Sequence, residues 1–247
     1  MKISIITVTY NSAKFLEDCI LSVTNQNYNN IEYIIIDGGS NDNTLKIIDK
    51  YKKHINFTIS EPDNGIYDAI NKGIKIASGD IIGLLNSDDK FTNVNVLSSV
   101  VENFKFYNCE IIFGNITFIN CNNKIIRHYN SKYFRPFLFR FGFQPAHPTF
   151  YTYRNNFIKY GYYDSSFKIA GDFELMLRFL HIYKLTHVFV DINFVTMRIG
   201  GASNKNILNK IILNHEILKS LKFHDIYTNY LFIYSKYLIK WIGYFKK

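Results

Sequence analysis

Ile81-Ile82-Gly83-Leu84-Leu85-Asn86-Ser87-Asp88-Asp89 is a short apolar run that stops on polar and acidic residues. With Gly79 before it and an acidic turn after it, the run reads as a strand covered on both faces. The same pattern appears twice upstream. Ile3 to Val8 runs into Thr9-Tyr10-Asn11, and Tyr33-Ile34-Ile35-Ile36 runs into Asp37-Gly38-Gly39-Ser40. Helical spacing fills the gaps. Phe15, Leu16, Cys19, Ile20 and Val23 follow Ser12 as a cap, and a second helix starts near Asn41-Asp42 and ends before His54. Phe57-Thr58-Ile59 is a third short strand, and Ile66, Ile70, Ile74 and Ala77 share one face after an Asn64-Gly65 turn. Strands alternating with helices of this length predict right-handed βαβ units, a Rossmann-like, mostly parallel sheet with flanking helices. Ligands of such sheets bind beyond the carboxyl ends of the strands, which is where all three polar clusters fall.

The second half is less regular. Glu110 to Ile119 reads as strand, Asp172 to His181 as a helix with Phe173, Met176, Leu177 and Leu180 inward, and Asn206 onward as two helical segments. With 247 residues, 47% of them hydrophobic and 20% charged, the chain has ample core material and no case for global disorder. Three scattered cysteines without a Cys-x-x-Cys pair argue against a disulfide framework or zinc ribbon and fit a reducing cytosol. The opening run turns polar at Thr9, too early for a secretory leader, and no run reaches the roughly 20 apolar residues of a membrane span. The net charge of +9 is uneven, because the segment 204–247 holds eight lysines against Glu216 and Asp225. From Ile111 to Tyr163 there is no acid at all, and basic and aromatic residues alternate, a composition suited to an anionic partner.

Paired carboxylates at a strand's carboxyl end, as in Asp88-Asp89, can hold a hard divalent cation that bridges substrate phosphates; the plain alternative is one helix cap and one solvated acid. Asp37 with Gly38-Gly39 is a tight turn where backbone comes close to a ligand, or simply a βα turn needing glycine. No Gly-x-Gly-x-x-Gly follows the first strand and no Gly-x-x-x-x-Gly-Lys-Ser/Thr loop occurs, which disfavours hydride transfer and P-loop phosphoryl transfer.

Several segments resemble the inverting family 2 glycosyltransferases of the GT-A fold, in the branch that builds bacterial surface polysaccharides such as O-antigen. They are Ile5 to Asn11, Ile36 to Asp42, Asn86 to Asp89, the long stretch Glu61-Pro62-Asp63-Asn64-Gly65-Ile66-Tyr67-Asp68-Ala69-Ile70-Asn71-Lys72-Gly73, and Ala170-Gly171-Asp172-Phe173-Glu174. The resemblance is dense over residues 1–90 and sparser over 144–180. It implies that Thr9, Tyr10 and Asp37 surround the base and ribose of a nucleotide sugar, most simply a UDP-sugar. Asp89, helped by Asp88, then binds Mn²⁺ or Mg²⁺ and through it the diphosphate, and Asp172 is the general base on the acceptor hydroxyl. Ser87 stands where a first acid of the metal motif is usual, and Gly38 where many relatives carry a second acid after Asp37. His147 is placed near acceptor phosphate or metal, and Glu61 and Asp68 near the donor sugar. Arg154 and Arg178 are candidates for the diphosphate.

Together these readings describe a GT-A domain over 1–205, with a nucleotide-sugar half (1–90) and an acceptor half (91–205), and an amphipathic helical tail over 206–247. The expected activity is inverting transfer from a nucleotide sugar to a polyprenyl-diphosphate-linked saccharide, in a cytoplasmic enzyme lying peripherally on the inner face of the bacterial membrane. A homo-oligomer is compatible with the sequence. The rival classes are a basic nucleic-acid-binding module, disfavoured because the specific motifs cluster in the less basic half, and a nucleotidyltransferase, which lacks its glycine-rich basic opening loop. In the tail, Asn229, Lys236, Lys240, Gly243 and Lys247 fall on one helical stripe, opposite Leu231, Phe232, Leu238, Ile239, Trp241, Ile242 and Phe245. That pattern predicts a helix lying in a membrane interface with its lysines toward the headgroups.

Overall fold

The computed structural model describes residues 1–120, 122–199 and 207–244. Strands β1 (Ile3–Thr9), β2 (Ile31–Asp37), β3 (Phe57–Ser60) and β4 (Ile81–Leu84) pair in parallel in the order β3-β2-β1-β4. Side chains alternate across a strand, so each unbroken apolar run divides between two faces. Ile3, Ile5, Tyr33, Ile35 and Ile81 enter one core, and Ile6, Val8, Ile34, Ile36 and Ile82 the other. Helices α1 (Leu16–Thr24) and α2 (Thr44–Lys50) cover the first face, and α3 (Ile66–Ile76) the second. The first core also takes Val96, Leu97, Val100, Val101 and Phe104 from α4 (Val96–Tyr107). The predicted alternation is therefore present, and its cause is the local period-2 burial.

Beyond β4 the sheet changes character. It continues through five further strands: β5 (Lys90–Phe91), β6 (Ile111–Ile119), β7 (Ile125–Tyr129), β8 (Tyr151–Tyr153) and β9 (His187–Arg198). The spatial order after β4 is β8-β6-β9-β5, with β7 hairpinned onto β6. Here only β6 and β9 run parallel; β4–β8, β8–β6, β9–β5 and β6–β7 are antiparallel. The parallel reading therefore holds for the first half, and the sheet as a whole is mixed. The strand β9 is not among the elements expected above, although Asp191-Ile192-Asn193-Phe194 alternates as a strand does. Pairing along β6, from Ile111 opposite His187 to Ile119 opposite Arg198, makes it a strand.

Two short helices, α5 (Arg154–Tyr160) and α6 (Gly171–Leu177), precede β9; α6 ends in a wider π turn over Arg178–Ile182. The chain closes with α7 (Ile207–Phe223) and α8 (Tyr230–Tyr244). Ile217, Leu218, Leu221 and Ile233 share one core cluster with Ile6, Ile70, Phe173 and Leu177, so the tail is packed on the sheet-bearing body. One expectation is corrected here. Lys236, read as part of a headgroup-facing stripe, is 4% exposed, whereas Leu231, on the face expected to enter the membrane interface, is 82% exposed. The cause is Ile233. It shares a helical face with Lys236 and is fully buried, while the neighbouring Phe232 stacks on Phe141 at 5.2 Å. The lysine stem is carried inward beside Gly142. Lys247 and Phe245, and the side chains from Leu238 to Tyr244, lie outside the described residues.

Candidate active site

The order β3-β2-β1-β4 reverses direction at β1, which leaves a crevice at the carboxyl ends of β1 and β4. Thr9 ends β1 with its side-chain oxygen buried and unpartnered, and Tyr10 follows at 61% exposure. Asn11 takes a left-handed conformation (φ 49°), donates its N–H to the Ser40 hydroxyl at 2.8 Å, and accepts from the Asn41 N–H at 2.9 Å. Ser12 does not cap α1 with its side chain as expected. It hydrogen-bonds the Ser87 hydroxyl at 2.9 Å and so ties the first loop to the one after β4.

Asp37 is 0% exposed, and its carboxylate accepts from the Gly39 and Ser40 N–H groups at 3.2 and 3.0 Å and from the Ser40 and Ser60 hydroxyls. This carboxylate holds the turn after β2. Gly39 has φ +81°, and a Cβ at Gly38 would sit 2.5 Å from an Asp63 carboxylate oxygen. Gly39 is thus needed for its backbone conformation, while at Gly38 the tip of the Asp63 side chain fills the space a Cβ would take. Tyr10 is exposed on the loop after β1.

Asp89 is the anomaly of the molecule. It is buried, yet among the described residues neither carboxylate oxygen has a partner in hydrogen-bond geometry, and the Arg198 backbone and Asn86 side chain only weakly oppose the effect of burial. Burial first, and the neighbouring Asp88 second, push its carboxyl well above the usual range, and burial also raises Asp88. An anion held dry and unpartnered is costly unless something cationic joins it. A hard divalent cation with oxygen ligands answers that need, and it requires only one or two protein carboxylates when phosphates complete its shell. Asp89 and Asp88 therefore fit Mn²⁺ or Mg²⁺, although no group of three His, Cys, Asp or Glu side chains is preassembled among the described residues.

Asp172 opens α6, and three groups surround its carboxylate. The Gln144 amide donates at 2.8 Å, the Tyr67 hydroxyl lies at 3.4 Å, and His147 Nδ1 lies at 3.4 Å. His147 is also close enough to lower the Asp88 carboxyl electrostatically. It thus touches Asp172 and adds its field to Asp88. Tyr67 stays protonated, since burial and then the Asp172 charge hold its hydroxyl far above the usual range.

Glu61 lies beside the turn after β2, its N–H on the Asp37 carbonyl at 3.0 Å, and the side chains of Glu61, Asp68 and Arg178 have partners of their own. Glu61 and Asp68 form a surface cluster with Lys72 (2.8 and 3.7 Å), and Asp68 also accepts from the Asn64 N–H. Their charge is thus spent on a lysine and the α3 entrance. Arg178 is buried against Glu174 and the carbonyls of Tyr160, Gly161 and Tyr162, so it is a structural cation. Arg154 starts α5 with its N–H on the Asp80 carbonyl, at the opposite, amino end of β4. Three residues were missed. Tyr67 lay inside a quoted motif and Gln144 three places before His147, but no local pattern aims either at residue 172. Arg198 ends β9, donates to Asp18 at 2.6 Å, and is felt electrostatically by both Asp88 and Asp89.

The fold with this crevice is that of GT-A glycosyltransferases. Superposition on Staphylococcus aureus TarS gives a TM-score of 0.69 at 18% identity, over 90% of this chain and 40% of that one. A mannosyltransferase from Pyrobaculum calidifontis, solved with GDP-Man and Mn²⁺, gives 0.64 at 14% identity over 90% of this chain and 63% of that one. Residues 4–169 match Glycosyl transferase family 2, and the chain belongs to that family. An uncharacterised glycosyltransferase of Mycobacterium tuberculosis is 40% identical over 101 residues, which is 40% of this chain and 38% of that relative. The PGL/p-HBAD biosynthesis glycosyltransferase of the same species is 26% identical over 226 residues, 88% of this chain and 83% of the relative. The match to the more identical relative thus spans well under half of its length.

Proposed function

We propose that the protein is an inverting glycosyltransferase that moves a sugar from a nucleotide sugar to a lipid-linked saccharide in bacterial surface-glycan assembly. The observation that carries this reading is the pairing of two acidic centres, a buried Asp89 with no well-formed hydrogen bond among the described residues and a hydrogen-bonded Asp172, with His147 touching Asp172 and adding its field to Asp88. Asp89 and Asp88 would hold Mn²⁺ or Mg²⁺, which offsets charge on a departing diphosphate. Tyr10 offers an exposed ring against the base, and the Thr9 hydroxyl an unused polar atom beside it. Asp172 accepts the proton of the acceptor hydroxyl while that oxygen attacks the anomeric carbon and the bond to diphosphate breaks on the opposite side. Gln144 donates to the Asp172 carboxylate, and the Tyr67 hydroxyl, committed to the Ile169 carbonyl, holds the backbone just before it, so little reorganisation is needed at that step. A UDP-sugar is the favoured donor, in keeping with TarS structures solved with UDP and UDP-GlcNAc.

Recruitment to an inner membrane surface is part of the same proposal. Ile207, Phe223, Tyr227 and Leu231 are exposed on α7, α8 and their connection, with Lys210, Lys219 and Lys222 exposed among them. No helix among the described residues is long and apolar enough to cross a membrane. Each lysine near anionic lipid contributes about 1 kcal/mol, so binding to anionic vesicles should weaken at high salt. The deciding experiment is a panel of nucleotide sugars with Mn²⁺, read as thermal shift and as nucleoside diphosphate release. Stabilisation and release with one donor support the reading, and neither with any donor overturns it.

A further inference from the structure

Lys168, Ile169 and Ala170 lead into α6, and their three consecutive N–H groups point at one carboxylate. Lys168 donates to Glu216 Oε1 at 2.8 Å, and Ile169 and Ala170 donate to Oε2 at 2.9 and 2.8 Å. Successive amides converging on an anion form a nest, here filled by a buried side chain from the middle of α7. The same segment is gripped from its other side. The Ile169 carbonyl accepts from the Tyr67 hydroxyl at 2.6 Å, and that hydroxyl also lies 3.4 Å from Asp172 Oδ1. Gly171 lets the Tyr67 ring pass, because a Cβ there would meet it at 2.7 Å. Asp172 is the next residue. Its backbone is therefore set by Glu216 on one side and Tyr67 on the other.

We infer that Glu216 is a positioning residue, whose carboxylate fixes the 168–170 backbone and through it the Asp172 carboxylate at the acceptor hydroxyl. The inference rests on the reading of Asp172 as the general base. It assigns α7 a part in the reaction. Hydrogen bonds from amides to an anion are roughly twice as strong as neutral ones. Glu216→Gln replaces one acceptor oxygen with an NH₂ group that faces N–H donors, so the nest opens. Ile217 and Leu221 and the His224–Glu174 contact at 3.0 Å remain to keep α7 docked.

The test compares full-length wild type, Glu216→Gln, Asp172→Asn and Leu221→Ala at a temperature where all are folded. It uses the donor found by the nucleotide-sugar panel. Glu216→Gln should lower kcat roughly 10–100-fold with donor KM unchanged, the scale expected when a base is displaced by about an ångström. Amide hydrogen exchange at 168–170 should accelerate in Glu216→Gln and stay slow in Leu221→Ala, which is expected to lower Tm at least as far without lowering kcat. Should Glu216→Gln not fold, Glu216→Asp, which keeps the charge but withdraws it by one methylene, carries the same comparison. Wild-type kcat in the Glu216 variant, or an equal fall in Leu221→Ala, overturns the inference while Asp172→Asn stays inactive. Substantial turnover in Asp172→Asn instead overturns the base assignment itself.

Discussion

Glu32 and Asp89 are both 2% exposed, and they lie at opposite ends of the same parallel strands. Glu32 sits near the start of β2, where Lys2, the hydroxyls of Ser4 and Ser78, and the Ser78 N–H all donate to it. Burial alone would raise its carboxyl, but these donors together override that and hold it at about 2. Asp89, beyond the end of β4, has no well-formed hydrogen bond on either oxygen among the described residues, and burial and Asp88 drive its carboxyl upward against weak opposition from Arg198 and Asn86. The same sheet thus neutralises a buried carboxylate at its amino end and leaves one open at its carboxyl end. A satisfied buried anion stabilises the fold; an open one awaits a cation. This difference separates the structural end of the molecule from the chemical end.

The contrast can be broken most decisively at Asp89. Asp89→Asn should reduce transfer to background and abolish the Mn²⁺-dependent part of nucleotide binding. The metal-free variant should melt higher than metal-free wild type, because the cost of holding a buried carboxyl against ionisation is gone. Undiminished transfer in EDTA, or a lower melting temperature for the metal-free variant, would remove the distinction from Glu32. Asp172→Asn comes next. Turnover should fall about 10²–10⁴-fold with donor affinity near wild type, measured by steady-state kinetics alongside donor titration. Asp88→Asn should cost less than Asp89→Asn, because Asp88 is only part-buried and shares its field with His147 and Arg198. Equal losses at both positions would show that the two carboxylates hold the cation jointly.

The smallest effect on activity, and the clearest on stability, belongs to Glu32. Glu32→Gln should destabilise the protein by roughly 1–3 kcal/mol and leave kcat unchanged at temperatures where it is folded. The pH dependence follows from the direction of the shift. A carboxyl whose folded value is depressed stabilises the fold above its unfolded value of about 4.3. That contribution declines as pH falls from there toward about 2, the range in which the folded carboxylate takes up its proton. Denaturant unfolding between about pH 5 and 2 should show a slope in wild type that is shallower in Glu32→Gln. Equal slopes would mean that Glu32 is not the buried, bonded acid the structure shows.

The sequence by itself determined the parallel half of the sheet and the clustering of Thr9, Asp37 and Asp88-Asp89 at its carboxyl end. The reason is that alternation along a strand and helical spacing are local, and a parallel sheet places every such strand end on one side. Only the tertiary structure decided which of those polar groups are left open. Asp37 and Asp89 look alike as acids ending apolar runs, yet one is closed by Ser40 and Ser60, and the other has no well-formed hydrogen bond among the described residues. The surroundings of Asp172 were likewise invisible, since Tyr67, Gln144 and Glu216 reach it or its backbone from far along the chain. The tail makes the same point. Helical periodicity defined two faces, but the core cluster that takes up Ile233 chose which face turned inward, and Lys236 went with it. Amphipathic pattern is a property of a segment, while the direction it faces depends on the surface it meets.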